Sequence, residues 1–258
     1  MPSIGPGVFK PPLLCSGVRS DSPDFVSKLL NEEEADLEFS KSSLVRLLDP
    51  DERWSITPLR MCDLAEKQTN KNYANANGAN TLLISKYGGV GLLSLLKKSW
   101  SKLPLFIKVV KSIIPGLDIL NKEYLHGDLH FNNIVWDGLT GRLIDFGELR
   151  RIDEVMDEEW LGPRDTLIYT ITGDKSVQDT IFSLGHSGRV LADPFLREYV
   201  SAGDLRRIFD LLQGLFDDAG CRRAHKRRYD KFSTFYAEKR LRPRSRGDYI
   251  SIIMSLPE

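Results

Sequence analysis

The stretch YLHGDLHFNNIVWDGLTGRLIDFGELR, residues 124–150, is the part of the sequence that decides the fold. NIVW and RLIDFG are typical of two short strands, and the DGLTG between them is typical of a turn. Pairing of these strands would bring Asp128, Asn133 and Asp145 to one rim. Amide and carboxylate oxygens without a nearby cysteine suit Mg²⁺ better than zinc. Turn-forming Asp and Asn are the alternative explanation, but the coincidence of these positions with His126 favours a functional site.

The composition is that of an ordinary folded protein. The chain has 258 residues, of which 41% are hydrophobic and 28% charged. Lys+Arg and Asp+Glu number 36 each, so the average charge predicts neither a nucleic-acid partner nor a membrane partner. The basic runs at 222–232 and 238–248 are interpreted first as solvated helix faces or tails, with a weak contact to an acidic partner or a phosphate backbone as the alternative.

Cysteine spacing and apolar patterning favour an intracellular, cytoplasmic protein. Cys15, Cys62 and Cys221 lie far apart without CxxC spacing, which predicts separate reduced thiols rather than a disulfide framework or a zinc site. No long uncharged apolar run occurs, and the N-terminus lacks a basic-then-apolar signal pattern.

The first part of the chain combines short strand patterns with one helix. The helix is predicted over residues 31–50, because Asn31 can cap it, acidic residues fill its first turn, and Asp49-Pro50 can end it. Leu37, Leu44 and Leu48 recur along one face. Strands are predicted at residues 6–15, 24–30, 54–62 and 81–87.

The pattern becomes helical from Gly88 onward. Apolar residues recur at helical spacing between Leu103 and Leu120, and Pro115-Gly116 is predicted to bend or break that helix. The order of elements therefore predicts an α+β protein, with a strand-rich part over residues 1–87 and a helical part over residues 88–258.

The motifs of the opening stretch resemble those of the protein-kinase-like superfamily. HGDLHFNN resembles the catalytic loop H-R-D-x-x-x-x-N, and DFG matches the metal-binding motif. The succession FKPPLLC, VSK, LLDP and KYGG also resembles protein kinase-like proteins of large DNA viruses, which would place the protein in the host cytoplasm or the virion. The resemblance implies a two-lobe fold. The ATP-binding lobe, residues 1–87, would hold a small antiparallel sheet and one helix, and the catalytic and substrate lobe, residues 88–258, would be reduced and mainly helical.

The same resemblance implies roles for residues of the opening stretch. Asp128 would orient and deprotonate the acceptor hydroxyl, while Asn133 and Asp145 would hold Mg²⁺ against the phosphates of ATP. Gly127 stands where the family usually has Arg. His130 stands where kinases acting on Ser/Thr have Lys, which makes it a candidate for cofactor binding.

Candidates for nucleotide binding come from the N-terminal part. FVSKLL resembles the V-A-I-K strand, so Lys28 is the candidate phosphate-clamping lysine, with an exposed strand lysine as the alternative. Spacing permits Glu34 or Glu38 as its ion-pair partner, and the family position favours Glu38. The remaining candidates are Gly5 and Gly7 of a shortened phosphate-covering loop, and the backbone near Ser85 and Tyr87 for adenine.

Three functions agree with these motifs. The first is an ATP- and Mg²⁺-dependent kinase acting on Ser or Thr hydroxyls of a protein substrate. The second is a small-molecule kinase, because HGDLH is also similar to aminoglycoside and choline phosphotransferases. The third is a non-catalytic binding module, because the glycine loop is degraded. Retention of Lys28, Asp128, Asn133 and Asp145 together favours an enzyme.

Overall fold

The computed structural model describes residues 8–9, 24–63, 80–96, 100–161, 194–239 and 245–258. They form two compact units. The first comprises the described residues of Met1–Leu95 and Asn132–Glu148, and the second those of Leu96–Phe131 and Leu149–Glu258. The lobe boundary between residues 87 and 88 stays a prediction.

Among the described residues, every strand lies before Ile152 and only helices follow. The strands are β1 Val8–Phe9, β2 Phe25–Leu30, β3 Arg60–Asp63, β4 Thr81–Lys86, β5 Val90–Gly91, β6 Tyr124–Leu125, β7 Ile134–Trp136, β8 Gly141–Leu143 and β9 Arg150–Arg151. The helices are α1 Glu32–Leu48, α2 Leu103–Leu120, α3 Ile152–Leu161, α4 Pro194–Ser201, α5 Gly203–Phe216, α6 Ala219–Ala224, α7 Lys226–Lys239 and α8 Arg246–Met254. The predicted α+β class is confirmed: the described residues form a small antiparallel sheet and a mostly helical remainder.

The first unit is built on an antiparallel sheet with strand order β1-β2-β4-β3. Residues 81–84 of the inner strand β4 are all buried, in agreement with its apolar sequence. The strand predicted at 54–62 forms only from Arg60 onward. The Asp49 carboxylate accepts hydrogen bonds from the backbone N–H groups of Trp54 and Ser55 at 2.9 and 2.8 Å, and so holds this segment out of the sheet.

Helix α1 begins and ends where the sequence predicts. The Asn31 side chain accepts a hydrogen bond from Glu34 N–H at 2.8 Å, and Asp49 is the C-cap. Its leucines, however, face outward: Leu37, Leu44 and Leu48 are 51%, 39% and 36% exposed. The buried residues of the helix are instead Ala35, Glu38, Ser42 and Val45.

A second sheet, with order β5-β7-β8, completes the first unit. The predicted hairpin of the opening stretch is present as β7 and β8, in which Ile134 pairs with Leu143 and Trp136 with Gly141. The connector before β5 needs glycine at Gly89, whose φ is +102°. A Cβ there would lie 2.0 Å from the carbonyl oxygen of Trp136.

The second unit packs its helices around buried aromatic rings. Phe209 of α5 contacts Phe232 of α7 at 4.6 Å and Tyr249 of α8 at 5.6 Å between ring centroids. Helix α2 continues through Pro115, so the helix does not break there, and a bend at Pro115-Gly116 stays a prediction. Pro115 lies on the exposed side of the helix, where water can satisfy the carbonyl that the missing N–H leaves without a partner.

Part of the basic run at 222–232 binds the C-terminal segment of the same unit. Arg228 Nε donates to the carbonyl of Pro257 at 2.8 Å, and Lys231 Nζ donates to the carbonyl of Ser255 at 2.5 Å. These two cations therefore stabilise the fold of the unit as well as lying on its surface.

The cysteine prediction is wrong for Cys62, which is disulfide-bonded, while Cys221 is free and buried. Spacing along the chain does not reveal which distant positions meet in the fold. Within the described ranges, no helix combines the length and the apolar character needed to cross a membrane. The eighteen-residue α2 carries Lys108, Lys111 and Asp118.

Candidate functional site

Lys28 joins three elements of the first unit through one ammonium group. Its Nζ donates to Glu38 Oε2 on α1 at 2.7 Å and to Asp145 Oδ1 after β8 at 2.9 Å. Asp145 is 117 residues from Lys28 in the sequence. The structure thus gives Lys28 the partner that the sequence analysis favoured, Glu38 rather than Glu34.

Burial and charge act in opposite directions on this cluster. Burial alone would lower the pKa of Lys28, but the attraction of Glu38 and Asp145 raises it above the usual 10.5. Lys28 is therefore a cation at neutral pH. Burial raises the pKa of Glu38, and the charge of Asp145 adds to the rise, while Lys28 opposes it. The Glu38 side chain is only 8% exposed, compared with 33% for Lys28 and 37% for Asp145.

Asp145 has an unusual backbone conformation. Its φ is +64°, in the left-handed region that an aspartate adopts only when surrounding contacts hold it there. A Cβ built on Gly147 would lie 3.6 Å from Glu38 Oε2 and 3.7 Å from Asp145 Oδ1, so this glycine lies directly against both carboxylates. Backbone strain beside an ion-pair cluster is typical of functional sites.

The hairpin connects Asn133 to the segment that carries Asp145. Ile144 N–H donates to the carbonyl of Asn133 at 3.0 Å. Asn133 is 5% exposed. Trp54 and Ile56 flank Leu143 through further backbone bonds of 2.8 and 2.9 Å, which fix the end of β8. The predicted metal ligands Asn133 and Asp145 therefore belong to one rigid piece of backbone.

These two residues fit Mg²⁺ as a partial ligand set. Among the described residues, no group of three or more His, Cys, Asp or Glu side chains is placed to hold a metal ion. Mg²⁺ commonly takes one or two protein oxygens and completes its shell with water and substrate phosphates. An amide and a carboxylate meet that requirement only when a phosphate ligand is also present.

Asp128 lies in the second unit, at the exposed point of a loop with a buried underside. The buried residues of the loop are His126, Leu129 and Phe131, while the Asp128 side chain is 52% exposed. The Phe131 ring packs edge-on against Phe106 of α2, at 4.8 Å between centroids. The packing fixes the loop and leaves the carboxylate of Asp128 accessible to solvent.

Asp204 anchors the backbone of the same loop. Oδ2 of this buried carboxylate, in the first turn of α5, accepts hydrogen bonds from His126 N–H at 2.8 Å and from Asn121 Nδ2 at 2.6 Å. Sequence reasoning missed Asp204, because SAGDLRR has the pattern of an ordinary helix start.

Two further positions in the loop differ from the kinase pattern. Gly127 has φ +81°, so the backbone itself calls for glycine where the family has Arg. His130 Nε2 lies 3.4 Å from Asp128 Oδ2, which places the imidazole beside the predicted base. The role of His130 in cofactor binding stays a prediction.

The remaining predicted nucleotide contacts are only partly described. Gly5 and Gly7 lie outside the described residues. Ser85 pairs with Val26 within the sheet. Tyr87 N–H donates to the carbonyl of Asp24 at 2.7 Å, so an adenine could contact the Tyr87 backbone only through its carbonyl.

Comparison with known proteins gives matches to solved structures alone. The sequence matches no protein-family model and no curated protein. A crystal structure of WbdD with the kinase inhibitor LY294002 matches with a TM-score of 0.44 and 15% identity, over 92% of this chain and 43% of that one. Another WbdD structure matches with a TM-score of 0.33 and 18% identity, over 50% of this chain and 29% of that one. The chain thus spans less than half the length of these structures, and similarity at this level carries no argument about activity.

Proposed function

We propose that this protein is an ATP- and Mg²⁺-dependent phosphotransferase of the protein-kinase-like superfamily. The observation that carries the proposal is the double contact of Lys28 with Glu38 and Asp145. It brings together the three positions that the sequence motifs single out, from three separate segments of the chain.

The geometry of the cluster suits phosphate binding better than a purely stabilising role. An ammonium group has three donors, and Glu38 and Asp145 take two of them. The third is available to a phosphate oxygen, and the two carboxylates keep the group charged and oriented. Buried ion pairs are weak evidence for stability, and the strained φ of Asp145 adds a cost that a structural ion pair does not require.

Each residue has a distinct role in the proposal. Lys28 binds a phosphate oxygen of the nucleotide, and Glu38 fixes the direction of its ammonium group. Asn133 and Asp145 hold Mg²⁺, which when bound neutralises charge on the phosphates. Asp128 accepts the proton of the attacking hydroxyl, and its exposure leaves it open to an acceptor.

The acceptor in our proposal is a Ser or Thr hydroxyl of a protein, and the protein acts inside the cell. The resemblance of the succession FKPPLLC, VSK, LLDP and KYGG to protein kinase-like proteins supports this choice over a small alcohol. A panel of acceptors distinguishes the two.

The test is transfer of labelled γ-phosphate from ATP by the full chain, with Mg²⁺, a generic protein substrate and a panel of aminoglycoside, choline and sugar alcohols. Asp128→Asn is expected to lower kcat by roughly 100-fold or more while nucleotide affinity stays nearly constant. Lys28→Met and Asp145→Asn are expected to lower kcat/KM by a similar factor, because each removes a contact that stabilises the nucleotide phosphates, directly or through Mg²⁺. Lys108→Met, at an exposed position of α2, is the matched control and should leave turnover unchanged.

The outcomes separate the three functions. If the wild type labels the protein substrate and Asp128→Asn does not, the proposal is supported. Label on a small alcohol supports phosphotransfer but overturns the protein acceptor. If the protein shows neither phosphate transfer nor Mg²⁺-dependent nucleotide binding, the proposal is overturned and the non-catalytic binding module remains. Undiminished turnover by Asp128→Asn would remove the base role from that residue.

A further inference from the structure

Helix α1 is linked to the Asp145–Gly147 turn at two separate points, through Lys28 and directly. One is the Glu38–Lys28–Asp145 chain of contacts described above. The other is Lys41, one turn farther along the helix, whose Nζ donates to the carbonyl of Gly147 at 2.8 Å across 106 residues of sequence. Lys41 forms no other hydrogen bond or ion pair with the described residues.

We propose that Lys41 is a positioning residue that holds the turn carrying Asp145 in its metal-binding conformation. The inference rests on the proposed function. It names a residue that neither the motifs nor the sequence analysis singled out.

The argument starts from the strain at Asp145. A left-handed φ at a non-glycine residue costs free energy, and it persists where the surrounding contacts over-determine it. Before the turn, Ile144 N–H is bonded to the carbonyl of Asn133. After it, the bond from Lys41 to the Gly147 carbonyl fixes the orientation of the peptide group that follows Gly147.

The type of residue at position 41 matters for this role. A charged donor makes a stronger hydrogen bond to a carbonyl than a neutral one, and the lysine stem extends from α1 to a backbone atom in a different segment. Lys41 and Glu38 are three residues apart and therefore neighbours on the helix surface. One rigid helix thus sets both the carboxylate of Asp145 and the backbone that follows it.

The first test is independent of activity. Hydrogen exchange of the amides of residues 145–148 is measured in the full chain, in Lys41→Met and in Lys41→Arg. Lys41→Met keeps the aliphatic stem but removes the donors, and it is expected to speed exchange in the turn roughly 10-fold or more. Lys41→Arg keeps a cationic donor and should restore most of the protection. Unchanged exchange in the turn of Lys41→Met overturns the inference, whether or not the protein is active.

The second test measures Mg²⁺ dependence in the phosphotransfer assay. Lys41→Met is expected to raise the Mg²⁺ concentration for half-maximal turnover and to lower kcat, each roughly 10-fold, with KM for the acceptor nearly unchanged. Lys41→Arg should recover most of both, and Lys108→Met should match the wild type. If Lys41→Met only reduced the fraction of active protein, the apparent kcat would fall and the Mg²⁺ dependence would stay the same. That result would count against a positioning role. If the wild type neither binds nor turns over Mg²⁺–ATP, the proposed function fails, and the exchange experiment still decides whether Lys41 holds the turn.

Discussion

Removal of the Asp204 carboxylate is the sharpest test of how the Asp128 loop is held. Asp204 is 4% exposed, and one of its oxygens accepts both the His126 N–H and the Asn121 amide. Asp204→Ala deletes that acceptor and leaves a buried backbone N–H without it. Asp204→Asn keeps one oxygen that can occupy the same place and accept both donors, but it removes the charge.

The expected magnitudes follow from the two bonds. A hydrogen bond to a charged group contributes about 1.5–3 kcal/mol, so loss of both bonds in Asp204→Ala is expected to lower the free energy of unfolding by about 3–6 kcal/mol. Asp204→Asn should cost about 1 kcal/mol, since only the charge assistance is lost. For a chain of this size, 1 kcal/mol corresponds to about 2–4 °C in Tm. The alanine variant should therefore melt roughly 6–24 °C below the wild type.

Thermal unfolding followed by circular dichroism compares the two variants with a matched control. Glu123→Ala removes an exposed carboxylate from the same unit, and it is expected to change stability by about 0.5 kcal/mol or less. Equal destabilisation by the alanine and asparagine variants would show that charge rather than the shared acceptor oxygen holds the loop. A Tm for Asp204→Ala within about 2 °C of the wild type would refute the anchoring role altogether.

Three further predictions concern the first unit and the thiols. Ser42 Oγ is buried without a hydrogen-bond partner among the described residues, so Ser42→Ala should raise the free energy of unfolding by about 1 kcal/mol in a urea titration; a loss of stability would reveal a partner. Burial raises the pKa of Glu38 despite Lys28, so the folded protein takes up this proton before the unfolded chain does, and wild-type stability should rise relative to Glu38→Gln as the pH falls toward 4.5. Parallel stability–pH curves for the two proteins would contradict that direction. Because Cys62 is disulfide-bonded and Cys221 is free, alkylation should label one thiol in denatured, unreduced protein and all three only after reduction. Three labels without reductant would refute the disulfide.

The parts of the fold that the sequence predicts are those with local signals. Asn31 caps α1 because its side chain reaches an N–H three residues away. The β7–β8 hairpin forms because its turn lies between two apolar runs. The pairing of Lys28 with Glu38 was favoured by the family position alone, since helical spacing also allowed Glu34.

The features that sequence reasoning missed depend on contacts between distant positions. The leucines of α1 have the spacing of a buried stripe, yet the helix turns Glu38 inward. Glu38 pairs with Lys28 there, because leaving this partly buried ammonium group without a counter-charge would cost more free energy than leaving the leucines exposed. Asp204 is an anchor only because the His126 backbone lies 78 residues away in sequence and beside it in space. No local pattern carries that information.

The residues proposed for catalysis are anchored independently in the two units. Asn133 and Asp145 are fixed by contacts of the first unit, namely the hairpin and Lys28. Asp128 is fixed by contacts of the second, since Asp204 holds the backbone two residues before it. Loosening the Asp204 anchor should therefore impair proton transfer to Asp128 and spare the binding of Mg²⁺–ATP. Weakened Mg²⁺–ATP binding in Asp204→Asn would mean that the proposed division of roles between the two units is wrong, because no bond of Asp204 described above reaches a nucleotide-binding residue.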